Sequence, residues 1–192
     1  MTTRVTLISA ARSEASDEVR FDDGRPLTAA GLRAARAAAG SLSVPADARV
    51  LASPSPRCAQ TADGLGLRAV PEPGAGGCDM GRWRGRPLEE VAATEPEAVP
   101  VWLSDPEVAP HGGESVRELC ARTEGWLDRL AAEAGRVVAV VEPDVVRAAV
   151  VCALGAPAQG FWRVDVEPLT ATGLSGRTGR WNLRPGGRIG PR

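Results

Sequence analysis

Val137-Val138-Ala139-Val140-Val141-Glu142-Pro143-Asp144 is the stretch on which the architecture turns. Its first five residues are apolar and, apart from Ala139, β-branched, the pattern of a strand buried on both faces within a parallel sheet. The run ends on a charged corner, Glu142-Pro143-Asp144, and Val145 to Leu154 resumes as an apolar helix stopped by Gly155. Strand, polar corner and helix form the repeating unit of α/β folds.

The same alternation extends in both directions. Arg4 to Ile8 reads as a first strand, Val50 to Ala52 as a short buried one, and Arg68 to Val70 as a further short strand. A helix is expected from Thr28, its N-cap, to Leu42, and another from Pro56 to about Leu65. Pro71 to Gly77 is a Pro/Gly loop, followed by short helices after Pro87 and from Glu97 to Leu103. The longest helix spans Ser115 to Ala134, where Ser115 and Glu118 form a capping box and Val116, Leu119, Cys120, Thr123, Trp126, Leu127 and Leu130 make one apolar stripe. Strand-like pieces follow at Phe161–Val166, Thr170–Leu174 and Arg180–Leu183. These elements predict one three-layer α/β domain over residues 1–184, with a mainly parallel central sheet and helices on both faces. Residues 185–192 are expected to form a loose, flexible tail.

Composition narrows the chemistry. The 192 residues are 43% hydrophobic and 24% charged, with a net charge of −1, so nothing electrostatic favours nucleic acid. No apolar run reaches the length of a membrane span, and Met1 to Ala15 lacks the layout of a signal peptide. All 23 basic residues are Arg, which excludes Schiff-base, lysine-nucleophile and P-loop mechanisms. Tyr is absent and His111 is the single histidine, so no mechanism needing two imidazoles is available. Cys58, Cys78, Cys120 and Cys152 are widely spaced, so no metal site, cofactor or disulfide framework is expected, and reduced thiols in a cytoplasmic protein are the simplest reading.

In parallel sheets the binding crevice lies beyond the carboxyl ends of the strands. Three such ends carry polar groups: Ser9 to Arg12, Ser53-Pro54 with Arg57 a turn later, and Glu142-Pro143-Asp144.

These corners, in this order, resemble the histidine phosphatase (phosphoglycerate mutase-like) superfamily. Ser9-Ala10-Ala11-Arg12-Ser13-Glu14-Ala15 stands where that family carries Arg-His-Gly-Glu-Ser/Thr-Glu-Ala. Pro26-Leu27-Thr28-Ala29-Ala30-Gly31 matches its Pro-Leu-Thr-x-x-Gly segment, and Ser53-Pro54-Ser55-Pro56-Arg57 with Gln60-Thr61-Ala62 matches its Ser-Pro-x-x-Arg-x-x-Gln-Thr-Ala motif. Gly81-Arg82-Trp83-Arg84-Gly85 is similar to its Phe-Gly-x-Trp-Glu-Gly, and Gly112-Gly113-Glu114-Ser115 to its Gly-Gly-Glu-Ser. Glu142-Pro143-Asp144-Val145-Val146-Arg147 occupies the place of its His-Gly-x-x-Ile-Arg.

The resemblance implies the fold together with a loss of the chemistry. Ala10 falls on the histidine that the family phosphorylates, Ser9 on a phosphate-binding arginine, Glu142 on the second catalytic histidine, and Gly77, or alternatively Asp79, on the general acid. Of the phosphate pocket, Arg57 remains. The implied function is a small-molecule-binding or regulatory pseudophosphatase. Arg57, Ser9, Arg12, Ser53 and His111 are its candidate ligand-binding residues, and an anionic small molecule or another protein its candidate partner. Arg57 is equally readable as a structural partner of Glu142 or Asp144, Arg12 as a water-exposed rim residue, and His111 as a solvated loop residue. The alternative is a repurposed enzyme in which Glu142 acts as acid/base and Arg57 anchors an anionic group during proton transfer or isomerisation. The arginine-, alanine- and glycine-rich composition fits a GC-rich bacterial source.

Overall fold

The computed structural model describes residues 2–13 and 18–190, so Glu14 and Ala15 of the first motif lie outside the described residues. Strand β1 (Thr3–Ser9) opens the chain, followed by α1 (Ala29–Ala37), β2 (Arg49–Ala52), α2 (Pro56–Gly64) and β3 (Val70–Pro71). Next come α3 (Leu88–Thr94), α4 (Ala98–Ser104), α5 (Val116–Glu133), β4 (Arg136–Val141) and α6 (Pro143–Leu154), and the chain closes with β5 (Thr170–Arg177) and β6 (Arg180–Arg188). The strands form one sheet in the order β3-β2-β4-β1-β5-β6. β4 runs parallel to both its neighbours, setting Val138 between Thr6 of β1 and Val50 of β2. β5 is antiparallel to β1, and β6 to β5.

The apolar run of β4 divides between two cores because successive side chains of a strand point to opposite faces. Val137, Ala139 and Val141 pack with Trp126, Leu127 and Leu130 of α5 and with Val145, Val146 and Ala149 of α6. Val138 and Val140 face the other way, onto Ala35 of α1 and Cys58 and Ala62 of α2. Each fully buried valine contributes about 1.5–3 kcal/mol, so this strand alone ties both helical layers to the sheet. A smaller aromatic cluster of Phe21, Met80, Trp83, Val91 and Val99 joins α3 and α4 beside the carboxyl ends of the strands.

Caps stop and start the helices as the sequence suggests: Thr28 Oγ1 accepts from Gly31 N at 3.0 Å. Ser115 and Glu118 close a reciprocal capping box. Helix α1 ends at Ala37, short of Leu42, and the chain leaves it through a left-handed Gly40.

Two expectations need correcting. Phe161–Val166 is no strand: Ala158–Arg163 forms a 3₁₀ helix opened by Pro157, and Phe161 is buried against α5 and α6. The alternation there reports packing against helices. The tail expected from residue 185 is also ordered further, because β6 continues to Arg188 past an irregularity near Ala171, and Ile189 is buried with its N–H on Leu169 O at 2.7 Å. Residues 184–188 are all exposed, so no apolar alternation marks them as strand.

Gly31 explains why its motif ends in glycine. A Cβ there would lie 2.2 Å from the carbonyl oxygen of Arg12, the atom that also accepts from Thr28 N at 3.1 Å. Gly31→Ala is therefore expected to destabilise the protein by about 1–3 kcal/mol in urea unfolding, although alanine gains about 1 kcal/mol of helix propensity. Gly125→Ala in α5, where the nearest atom is an Arg129 side-chain nitrogen at 3.8 Å, should stabilise it by up to about 1 kcal/mol.

Candidate functional site

The ends of β1, β2 and β4 meet at one edge of the sheet. Ala10 N donates to Val141 O at 3.0 Å and Ser53 N to Val140 O at 2.8 Å, so the three exits are held side by side. From β2 the chain turns through Ser53-Pro54 into Ser55, whose side chain accepts from Cys58 N and caps α2, with Pro56 in the first turn. That places Arg57 one residue inside the helix, pointing across the β4 exit. From β4, Glu142 stands at the N-cap of α6 without capping it, which leaves its carboxylate free to reach sideways.

The two side chains meet. Arg57 Nε and Nη2 both bind Glu142 Oε2. Nη2 also binds Asp22 Oδ2 at 2.8 Å, and Nη1 donates to Ser13 Oγ at 3.4 Å. Every guanidinium nitrogen is engaged. The Arg57 side chain is 8% exposed and that of Glu142 1%. Burial pushes the guanidinium pKa down, but Glu142, Asp22 and Asp144 more than reverse this, and the net shift is upward. Glu142 Oε1 is buried and has no hydrogen-bond partner among the described residues.

Gly77 makes room for this arrangement. A Cβ at that position would lie 2.9 Å from Glu142 Cγ and 3.4 Å from Asp144 Oδ2. Asp144 Oδ2 in turn accepts from Cys78 N at 2.6 Å. Burial and the neighbouring Glu142 charge raise the Asp144 carboxyl to about 6, with Asp22 adding to the shift and the Cys78 amide and Arg57 opposing it.

Above the ion pair lies a cavity of about 260 Å³. Arg57, Asp22 and Asp144 line its polar side, and Phe21, Trp102 and Trp162 are among its apolar walls. Trp102 and Trp162 meet edge to face with centroids 4.3 Å apart.

The other candidates from the sequence are dispersed. The Ser9 hydroxyl faces the β5 side, donating to Glu167 O at 2.6 Å and accepting from Thr170 N at 3.0 Å, so it is committed to holding that loop and does not line the cavity. Ser53 is buried, its hydroxyl without a hydrogen-bond partner among the described residues. Arg12 is exposed. His111 is 1% exposed, which corrects its reading as a solvated loop residue. Its ring packs 5.1 Å from Trp83 and 6.4 Å from Trp102, and its Nδ1 accepts from Gly113 N at 3.1 Å. Burial, aided by Arg82 and opposed by Asp79, lowers its pKa. Sequence reasoning missed Asp22, which sits in an Asp-Asp-Gly turn that reads only as a loop.

A family model described as "Histidine phosphatase superfamily (branch 1)" matches residues 8–185. The chain belongs to this superfamily. Solved superfamily-like structures overlay nearly its whole length. The mycobacterial glucosyl-3-phosphoglycerate phosphatase in complex with VO3 gives a TM-score of 0.84 at 24% identity, covering 98% of this chain and 99% of that one. A putative alpha-ribazole-5'-P phosphatase from Escherichia coli gives 0.85 at 22% identity, covering 99% of each. Among curated proteins, the Bifunctional protein Rv2228c of Mycobacterium tuberculosis is 33% identical over 135 residues, 67% of this chain. Those residues are 37% of that protein, so the chain matches little more than a third of its length. No helix among the described residues is long and apolar enough to cross a membrane.

The ion pair and the raised carboxyl each generate a measurement. Arg57→Ala strands a buried carboxylate and is expected to lower stability by about 3–5 kcal/mol at pH 7, whereas Arg57→Met combined with Glu142→Leu should recover most of the loss. Asp144 has a folded pKa above its unfolded one, so it binds more protons when folded. Its contribution is fully present below about pH 4 and is lost as pH rises through about 6. Relative to Asp144→Asn, the native protein should therefore lose about 2–3 kcal/mol between pH 4 and 7, measured by urea unfolding at each pH.

Proposed function

We propose that this chain is a pseudophosphatase: a superfamily member without phosphohistidine chemistry that uses its remodelled crevice to bind a small molecule or to act as a regulatory partner in the cytoplasm. The observation that carries this reading is the Glu142 carboxylate seated on Arg57. In the resemblance Arg57 is the surviving phosphate ligand, and here its charge is already satisfied by Glu142 and Asp22. A phosphate brought to about 4 Å from Glu142 would meet a repulsion of about 4 kcal/mol per unit-charge pair at an effective dielectric near 20. Hydrogen bonds from one arginine return about 1.5–3 kcal/mol each. The position of the family's nucleophile supports the same conclusion, since Ala10 is a buried methyl with nothing to attack phosphorus.

The repurposed-enzyme reading has one favourable observation, a cavity-lining carboxyl with a pKa of about 6. That group is Asp144. Glu142 has one oxygen bound to Arg57 and the other buried, so an acid/base role at the cavity would fall to Asp144.

The test pairs turnover with binding. Purified native protein and Arg57→Ala are assayed on para-nitrophenyl phosphate, glucosyl-3-phosphoglycerate and alpha-ribazole phosphate, and thermal shifts are recorded with vanadate and inorganic phosphate. The expected result is no turnover and no stabilisation in either protein. Hydrolysis that survives repeated purification and disappears in Arg57→Ala overturns the reading. Ala10→His alone should not take up phosphate on the new imidazole, because Ser9, Gly77 and Glu142 leave the pocket unable to hold the anion.

A further inference from the structure

We propose that Cys120 and Cys152 form a reversible dithiol–disulfide pair that clamps α5 to α6. The two residues face each other across the contact between these helices. The Cys152 thiol donates to the Cys120 carbonyl oxygen at 3.4 Å. Small residues permit such an approach, since Ala148 of α6 packs with Cys120 in the same cluster. A disulfide needs Cα atoms about 4.4–6.8 Å apart, a spacing that directly opposed residues on closely packed helices can reach.

Access and selectivity support the pair. Both cysteines line a surface cavity of about 270 Å³, along with Arg117, Glu124 and Gly155. A low-molecular-weight disulfide such as oxidised glutathione can reach them there. The neighbouring Cys152 thiol holds the Cys120 thiol below its ordinary pKa, against the pull of burial, Glu114 and Glu124, while Cys120 and burial push the Cys152 thiol up, so Cys120 ionises first. By contrast, burial pushes the thiols of Cys58 and Cys78 upward. Cys58 is sealed in the core on the other face of the sheet, and Cys78 lines the separate cavity above the Arg57–Glu142 pair.

The reaction balances as two exchanges. Cys120 thiolate attacks one sulfur of glutathione disulfide, the S–S bond breaks, and one glutathione thiolate leaves with a mixed disulfide on Cys120. Cys152 then loses its proton, attacks the Cys120 sulfur and expels the second glutathione. The protein surrenders two electrons and two protons, and the reagent is reduced to two thiols.

Cleavage after arginine separates the four cysteines onto peptides 58–68, 69–82, 118–122 and 148–163. After treatment of native protein with oxidised glutathione, mass spectrometry should find 118–122 joined to 148–163, with the other two thiols free. The oxidised protein should melt several degrees higher, reversibly with dithiothreitol, because the bond closes a loop between positions 32 apart. Cys152→Ser should instead retain one glutathionyl group on Cys120. Four unreacted thiols, a link through 58–68 or 69–82, or stable mixed disulfides in the native protein would each overturn the pairing. A correct link without a change in melting would overturn the clamp. None of these readouts depends on phosphatase turnover, so the pair stands or falls apart from the crevice.

Discussion

A guanidinium and a carboxylate, both withdrawn from water, meet where three strands end, and the geometry of the crevice depends on them. Arg57 and Glu142 stand on two different strand-to-helix corners, and Asp22 adds a third segment to the same guanidinium. Desolvating such a pair costs several kcal/mol per ion, which mutual attraction and additional hydrogen bonds must offset. The pair therefore adds little net stability, yet once formed it cannot lose a single partner cheaply. That asymmetry registers the corners of β2 and β4 against each other and against the Asp22 loop.

The charge balance of the crevice follows from the same contact. Three carboxylates, Asp22, Glu142 and Asp144, act on one guanidinium, and their sum reverses the effect of burial on it. One of the three holds its proton more tightly, because burial first and the Glu142 charge second raise the Asp144 carboxyl to about 6. An edge that in the resemblance faces an anion is here already furnished with negative charge, under walls of tryptophan and phenylalanine.

Much of this is legible in the amino-acid sequence. The β-branched run at 137–141 announces a strand buried on both sides, and its residues do divide between two helical layers. Ser115 with Glu118, and Thr28 ahead of Gly31, mark helix starts through local chemistry that needs no tertiary context. The reading failed where the deciding partner was remote. Phe161 and Trp162 look like strand residues because apolar alternation cannot tell a sheet neighbour from a helical one. The place of Ser9 at a strand end points its hydroxyl to the crevice, but its partners Glu167 and Thr170 lie some 160 residues away. Arg57 and Glu142 could be named from the sequence as partners or as independent site residues, and only their distance separates the two readings. Asp22 carried no signal, since an aspartate in a turn is common and its second contact is tertiary.

Gly77 and Glu142 also constrain what the lineage can do next. A Cβ introduced at 77 meets Glu142 Cγ at 2.9 Å, so the Glu142 side chain has to shift before residue 77 can carry a side chain. Replacing Glu142 first with a small neutral residue would leave Arg57 without its main counter-charge. Each single step thus disturbs the buried ion pair, and a larger residue at 77 fits best when both positions change together. The two positions are therefore epistatic: the cost of a side chain at 77 depends on which residue stands at 142.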